Sequence, residues 1–460
     1  MPMKIFRFII SLFFLIIVWC FFIAGREFLL TKPIENLYHV PSEATFAMRI
    51  DGTTVLKSAA FSIILEANDP DLIDVVNRQI NEKRKRTGKS KSLGIDFLSD
   101  VVVYALPFED GQIIGYTYNL NRPDLMRKNA KRGLDSNQVY VINDKIGVVL
   151  SLSGKKRLTP SQKSKMISIA QKIAFEPSKS QLADKLALRE SNKIIQLSSK
   201  GQLFGETTLF NRSDMDLVLE DHGLKMSGQL FKNLLEKRVF NQPKYTLKPD
   251  GMHFYTTLIP QKIQDTIHKL LLGNGLSLPR IQAISANYRG ATINNTDRNL
   301  IYSPNMDLLV TFEKDFDFKK ALLESPALSA FKLKPEGDGL SNGINEFIFK
   351  KIDSKTYLIS SKKDVKPIST PTNCLLCVKG QMDPITNIKG DKMILFFLEN
   401  LPIFKTTKDF FSKTEGVKIE ITNTEQNMAI VDGYFNFKKE YFPLNEFLKY
   451  SIQNNFIRVK

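Results

Sequence analysis

The chain has 460 residues, of which 43% are hydrophobic and 25% charged; this excludes a disordered or low-complexity protein and suits two domains or one large one. Its three cysteines exclude a disulfide-stapled scaffold, and one Trp beside 33 Phe leaves core volume to Phe, Leu and Ile. A formal charge of +17 favours anionic partners such as lipid headgroups or an acidic polymer, set against the plainer reading of a lysine-rich solvated surface.

Lys4 and Arg7 precede an uncharged apolar run, Phe8–Ala24. Such a run, at about 1.5 Å per residue, makes a helix just long enough for a bilayer core. Phe22-Ile23-Ala24-Gly25 is a poor cleavage site, and Trp19 stands where lipidation at Cys20 wants a small residue. Residues 1–32 are therefore expected to be an uncleaved anchor. The short leading tail and long trailing body predict a single-pass inner-membrane protein with its body in the periplasm.

The body reads as an internal repeat. Pro41–Ile50 matches Pro249–Leu258, with Phe46 falling on Phe254, and each stretch alternates as a half-buried strand does. Val55, Ala59 and Ile63 then fall on Ile263, Ile267 and Leu271, one face of a helix in each copy. Strand pairs follow, and Tyr116, Thr117 and Tyr118 fall on Val310, Thr311 and Phe312. A short helix, a second strand pair and a closing hairpin complete both copies. The expected fold is α+β, with a transmembrane helix (1–32) followed by two related lobes, 38–240 and 246–460, of mainly antiparallel sheet with packed helices.

Motifs for chemistry are sparse. Gly339-Leu-Ser341-Asn-Gly343 fits a nucleophile-elbow pattern but follows a loop and continues as a strand, so a turn is expected. Gly88-Lys89-Ser90 lacks the rest of a phosphate loop. Cys374-Leu-Leu-Cys377 admits an incidental pair, a local disulfide, or a redox or metal site; on a regular strand its sulfurs would point to opposite faces. His39, His222, His253 and His268 do not cluster in sequence, and Asp214, Asp216, Glu220 and Asp221 read as an exposed strand face. The loop bearing Lys83, Arg84, Lys85, Arg86, Lys89 and Lys91 is the candidate contact for an anionic surface. It has no interleaved aromatics for stacking bases, so nucleic acid is not an expected partner.

Two phrases carry a resemblance: Pro41 through the strand ending Arg49-Ile50-Asp51, and Leu93-Gly94-Ile95-Asp96-Phe97-Leu98-Ser99-Asp100 leading into the next strand. Together they resemble a loose group of uncharacterised membrane- or lipid-anchored bacterial envelope proteins of Bacteroidetes type, well over the first lobe and in outline over the second. The resemblance implies an envelope location and no particular chemistry. The function expected is a non-enzymatic periplasmic scaffold or interaction protein, without cofactor or metal, whose partners are the membrane through residues 8–24 and other envelope proteins. The alternative is a carrier of lipid or another hydrophobic ligand between the lobes, lined by residues such as Phe396, Phe397 and Phe404. An envelope hydrolase using dispersed carboxylates is a more distant third.

Overall fold

The computed structural model describes residues 35–52, 54, 96, 99–109, 111–127, 137–154, 157–177, 180–186, 193–200, 210–220, 222–232, 243–259, 261–272, 279–296, 299–323, 334–337, 339–341, 346–369, 373–381, 388–390, 402–424 and 428–441, with a few single positions beyond. Its first stretch contains a 3-10 turn, Glu35–His39, then β1 (Phe46–Ile50), β2 (Val101–Phe108), β3 (Gly111–Asn119), β4 (Gln138–Ile142) and β5 (Ile146–Leu152). Helices α1 (Pro160–Phe175) and α2 (Gln181–Leu186) precede β6 (Lys193–Lys200), β7 (Phe210–Glu220) and β8 (Gly223–Lys232).

The second stretch holds β9 (Tyr245–Leu247), β10 (Met252–Thr256), α3 (Gln261–Leu272), β11 (Ile281–Thr296), β12 (Asn299–Phe312) and α4 (Phe318–Leu323). After these come β13 (Lys334–Glu336), β14 (Gly339–Ser341), β15 (Glu346–Lys351), β16 (Thr356–Ser360), β17 (Pro367–Ser369), β18 (Cys374–Gly380) and β19 (Ile388–Gly390). Helix α5 (Pro402–Ser412), β20 (Thr414–Asn423) and β21 (Met428–Phe437) complete it.

Pairing joins these strands into one sheet. The first stretch runs β4-β5-β3-β2-β1-β6-β7-β8 in space. The second runs β15-β16-β12-β11-β10-β18-β20-β21, the same order of connections. β8 pairs antiparallel with β21 from Gly223↔Asn436 to Phe231↔Met428, so the two stretches share a single sheet. Every pairing is antiparallel except β11 with β19. β9 and β17 form a second, two-stranded antiparallel sheet.

Residues two apart on a strand share a face, so the registers define a front and a back. On the front of the first stretch, Ala47, Val102, Tyr104, Ile113, Val148 and Leu150 form a buried core with Met166, Ala170, Ile173 and Ala174 of α1 and Leu182 and Leu186 of α2. Thr159 caps α1 in a reciprocal capping box with Gln162, and Pro160 opens its first turn. Each large apolar side chain buried there contributes about 1.5–3 kcal/mol. In the second stretch the front is covered by the β9–β17 ribbon, through Leu247 against Leu309 and Leu358. Its back packs Val310, Phe312, Phe349 and Tyr357 against Phe318 and Leu322 of α4.

The expected fold class needs correction. The described residues are mostly antiparallel strand, and none of their helices is long and apolar enough to cross a membrane. The longest, the 16-residue α1, carries Lys163, Lys165 and Lys172 outside the stripe it lays on the sheet. The helices whose packing the core clusters show, α1, α2 and α4, each cover part of a sheet face. The run Phe8–Ala24, on which the transmembrane helix rested, lies outside the described residues. The signal anchor and the single-pass inner-membrane location depended on that helix and are corrected with it.

Candidate binding face at the seam of the sheet

Between α2 and the β9–β17 ribbon, side chains on the front of β8 and β21 stand in solvent: Lys225, Gln229, Ile430, Asp432 and Tyr434 are exposed. The registers arrange this front in rows that cross the strands. One row reads Arg49, Gln196, Asp216, Ser227, Asp432, Glu420, Cys377, Tyr255. The next row on the same face reads Val218, Lys225, Tyr434, Lys418, Lys379, His253. An acidic row thus runs beside a lysine row across the middle of the molecule.

Local contacts hold the charges in place. Asp214 accepts from Ser198 Oγ at 2.6 Å, Lys185 Nζ at 2.7 Å and Arg212 at 2.7 Å, and the Arg212 guanidinium lies 4.7 Å from the Phe231 ring centre. Lys193 Nζ is 2.7 Å from Asp216. Asp432 and Glu420 stand directly opposite, an arrangement that costs stability in a sheet. Lys418 answers it with Nζ 2.8 Å from Glu420. Its hydrogen bond to Glu420, with the nearby charges of Glu420 and Asp432, holds its ammonium above the usual lysine range. A hollow of about 740 Å³ opens here, lined in part by Lys185, Lys193, Lys225, Asp214, Asp216 and Asp432. A second, of about 430 Å³, is lined by Lys379, Lys418, Tyr434 and Asn436 among others.

The acidic row at one side and the lysine row at the other run into buried polar networks. Arg49, only 2% exposed, donates to Asp100 at 3.0 Å, to Gln196 at 2.7 Å and to the Leu186 carbonyl at 3.1 Å. At the far side Arg289 and Asp307 are ion-paired, Asp307 also accepts from Ser360 Oγ at 2.6 Å, and Asn287 joins them to His253. Burial, and then the Lys379 charge, hold His253 below the usual histidine range despite its hydrogen bond to Asn287.

The residues picked out from sequence are scattered. Lys83, Arg84, Lys85, Arg86, Lys89 and Lys91 lie outside the described residues, as do Phe396 and Phe397 and the side chain of Phe404. His39 bonds the Ile173 carbonyl at 2.6 Å, His253 lies across the sheet from it, and no histidine cluster forms among the described residues. Gly339–Ser341 is β14, paired on both sides, with Ser341 buried and no elbow. Asp214 and Asp216 share the front while Met215 and Leu217 face the back. Among the described residues no group of three or more His, Cys, Asp or Glu is placed to hold a metal ion. Cys374 and Cys377 depart from the regular-strand expectation: a bulge between Cys374 and Leu376 puts both on the front.

The lysine row was missed in sequence, because Lys225, Lys418 and Lys379 become neighbours only through the β8–β21, β21–β20 and β20–β18 ladders. The signal present was the alternation Lys225, Ser227, Gln229 against Ile430, Asp432, Tyr434, which marks a polar face without saying what lies beside it.

Compared with known protein families and with curated proteins, the chain matches none. Among solved structures it is similar to crystal form I of TP0453, at 12% identity and a TM-score of 0.27, over 55% of this chain and 92% of that one. Crystal form III of TP0453 gives 12% identity and a TM-score of 0.26, over 55% and 91%. Likeness at that level carries no conclusion about fold or function.

Proposed function

We propose that the chain is a non-enzymatic interaction protein, a duplicated sheet module whose two copies meet at the β8–β21 ladder and present a binding face there. The observation that carries this reading is the pair of charged rows on the open front, acidic through Asp216, Asp432 and Glu420 and basic through Lys225, Lys418 and Lys379. Like charges placed opposite one another weaken a sheet, so the arrangement is better accounted for by recognition than by stability. Alternating charge selects partners and orients them more than it adds raw affinity. The hollow's lining includes three Lys and three Asp, a balance that favours a partner protein of mixed charge over a uniformly anionic polymer. A hydrophobic-ligand carrier has less behind it: this hollow mixes three Lys and three Asp with its apolar residues, and the side chains of Phe396, Phe397 and Phe404, expected to line a groove, lie outside the described residues.

The test is a charge swap at the seam, Lys225→Glu with Asp432→Lys, in the full chain. Both side chains are exposed, so the fold should survive, as circular dichroism and the unfolding midpoint would show. Proteins retained by the native chain and lost by the swapped one would support the reading. An unchanged set of retained proteins would overturn it.

A further inference from the structure

Strand β18 is irregular where it meets β20: Cys374 pairs with Thr422, Leu376 with Ile421, and Cys377 with Glu420. Three steps along β18 therefore cover the length of two steps along β20. That places the Cα atoms of Cys374 and Cys377 about 6.6–6.8 Å apart, at ~3.3–3.4 Å per residue. Disulfides span Cα separations up to about 6.8 Å, whereas residues three apart on a regular strand lie about 10 Å apart on opposite faces. The bulge alone brings this pair into bridging range.

The surroundings are those of a reactive pair rather than an inert one. Both cysteines are free; Cys374 is buried, and Cys377 is half-buried at the margin of the open front. Interaction between the two thiols favours the Cys377 thiolate; the same interaction and burial push the Cys374 thiol up. Lys379 and Lys418 add to the stabilisation of a Cys377 thiolate, and Glu420, with Oε1 3.9 Å from its sulfur, opposes it. Tyr255, directly across the ladder from Cys377, buries a hydroxyl that has no hydrogen-bond partner among the described residues. An attacking thiol needs partial exposure and nearby positive charge, and Cys377 has both.

We propose that Cys374 and Cys377 form a thiol–disulfide exchange site for low-molecular-weight disulfides, with Cys377 the attacking sulfur and Cys374 the resolving one. The Cys377 thiolate attacks one sulfur of the small disulfide, a mixed disulfide forms, and the other half leaves as a thiolate. Cys374 then gives up its proton to solvent and attacks the Cys377 sulfur, forming the protein disulfide and releasing the second thiolate. Two electrons pass from the protein to the small disulfide, which ends as two thiols once protonated. This site does not depend on the partner-binding reading of the seam.

The experiment uses the full-length chain carrying Cys20→Ser, equilibrated with stepped ratios of oxidised to reduced glutathione, quenched by alkylation and read by peptide mass. The native pair should lose two hydrogens as an internal disulfide. Cys374→Ser should instead accumulate a glutathione adduct on Cys377, and Cys377→Ser should react at Cys374 at least about tenfold more slowly. Both substitutions are nearly isosteric, and circular dichroism reports whether each chain folds. The proposal is overturned if both thiols stay alkylatable in the folded chain at ratios that oxidise the same chain in urea. It is equally overturned if Cys377→Ser reacts as fast as Cys374→Ser.

Discussion

Arg49 donates its Nε proton to Asp100 Oδ2 at 3.0 Å in a site where both side chains are almost wholly removed from water. Arg49 stands next to the end of β1, between Val102 of β2 and Gln196 of β6, and Asp100 immediately precedes β2. Asn36 adds a bond to the Asp100 carbonyl at 2.6 Å, fastening the 3-10 turn to the same point. Removing one partner of such a pair leaves the other as an uncompensated buried charge, which costs about 3–5 kcal/mol. Asp100→Ala should lose that much in urea unfolding. Arg49→Met with Asp100→Leu should lose less than Asp100→Ala alone, since the buried guanidinium is then gone and Asp51, the acid left behind, keeps its bond from the Thr54 amide. Equal or greater loss in the double variant would show that the pair matters through packing only.

Asp307 makes a pH-dependent contribution of the opposite kind to a buried acid left alone. Burial pushes its carboxyl up, but the hydrogen bond and charge of Arg289, with a bond from Ser360, outweigh burial and leave it below the usual aspartate range. A carboxylate depressed in the folded state stabilises the protein above its unfolded pKa, and that stability is lost as pH falls through the folded value. Asp307→Asn should therefore be most destabilising near neutral pH, with the gap in melting temperature closing as pH falls below the usual aspartate range. His253 also loses stability as pH falls, but it is common to both proteins and cancels in the difference. A gap independent of pH would remove the ion pair from the account.

Some of this was legible in the sequence and some was not, for physical reasons. Phe46 stands between Ala105 and Ser199, and Phe254 between Ala286 and Val378, in the same ladder positions. Tyr116 between Val103 and Val149 corresponds likewise to Val310 between Ile284 and Tyr357. Strand periodicity exposes such matches because a half-buried strand repeats every two residues. The phrases ending Asp51 and Asp100 point to no particular chemistry in sequence, and the meeting of both aspartates on Arg49 is a tertiary fact that neither phrase contains. The bulge at Cys374 could not be anticipated either, because nothing local distinguishes it from a regular strand. The membrane reading rests on the apolar length of Phe8–Ala24 and on its flanks, and the described helices do not share that length.

Gly115 leaves room for a ring. A Cβ added there would lie 2.1 Å from Cε2 of Tyr104, its cross-strand partner, whose side chain is fully buried in the front core. The aromatic covers the glycine backbone, a pairing that recovers stability a strand glycine otherwise gives up. Gly115→Ala should cost about 1–3 kcal/mol, as overpacking does, because the ring cannot move without displacing its neighbours. In a Tyr104→Leu background the same substitution should cost markedly less. Urea denaturation of the four proteins measures the coupling, and purely additive costs would mean the ring and the glycine do not depend on one another.

Asp432 separates the demands of folding from those of binding. It is exposed, faces Glu420 across β20 and Ser227 across β8, and has no salt bridge of its own among the described residues. Neutralising it removes a like-charge opposition, so Asp432→Asn should leave the fold unchanged or gain up to about 1 kcal/mol. The gain should shrink as salt is raised, since exposed charges are screened over a Debye length of about 8–10 Å. If the charged rows serve a partner, the same substitution should weaken partner retention while the protein becomes no less stable, the usual mark of a residue kept for function at some cost in stability. Loss of stability in Asp432→Asn would instead make the carboxylate a structural element, held by Lys418 and its neighbours, and would remove the acidic row from the binding face.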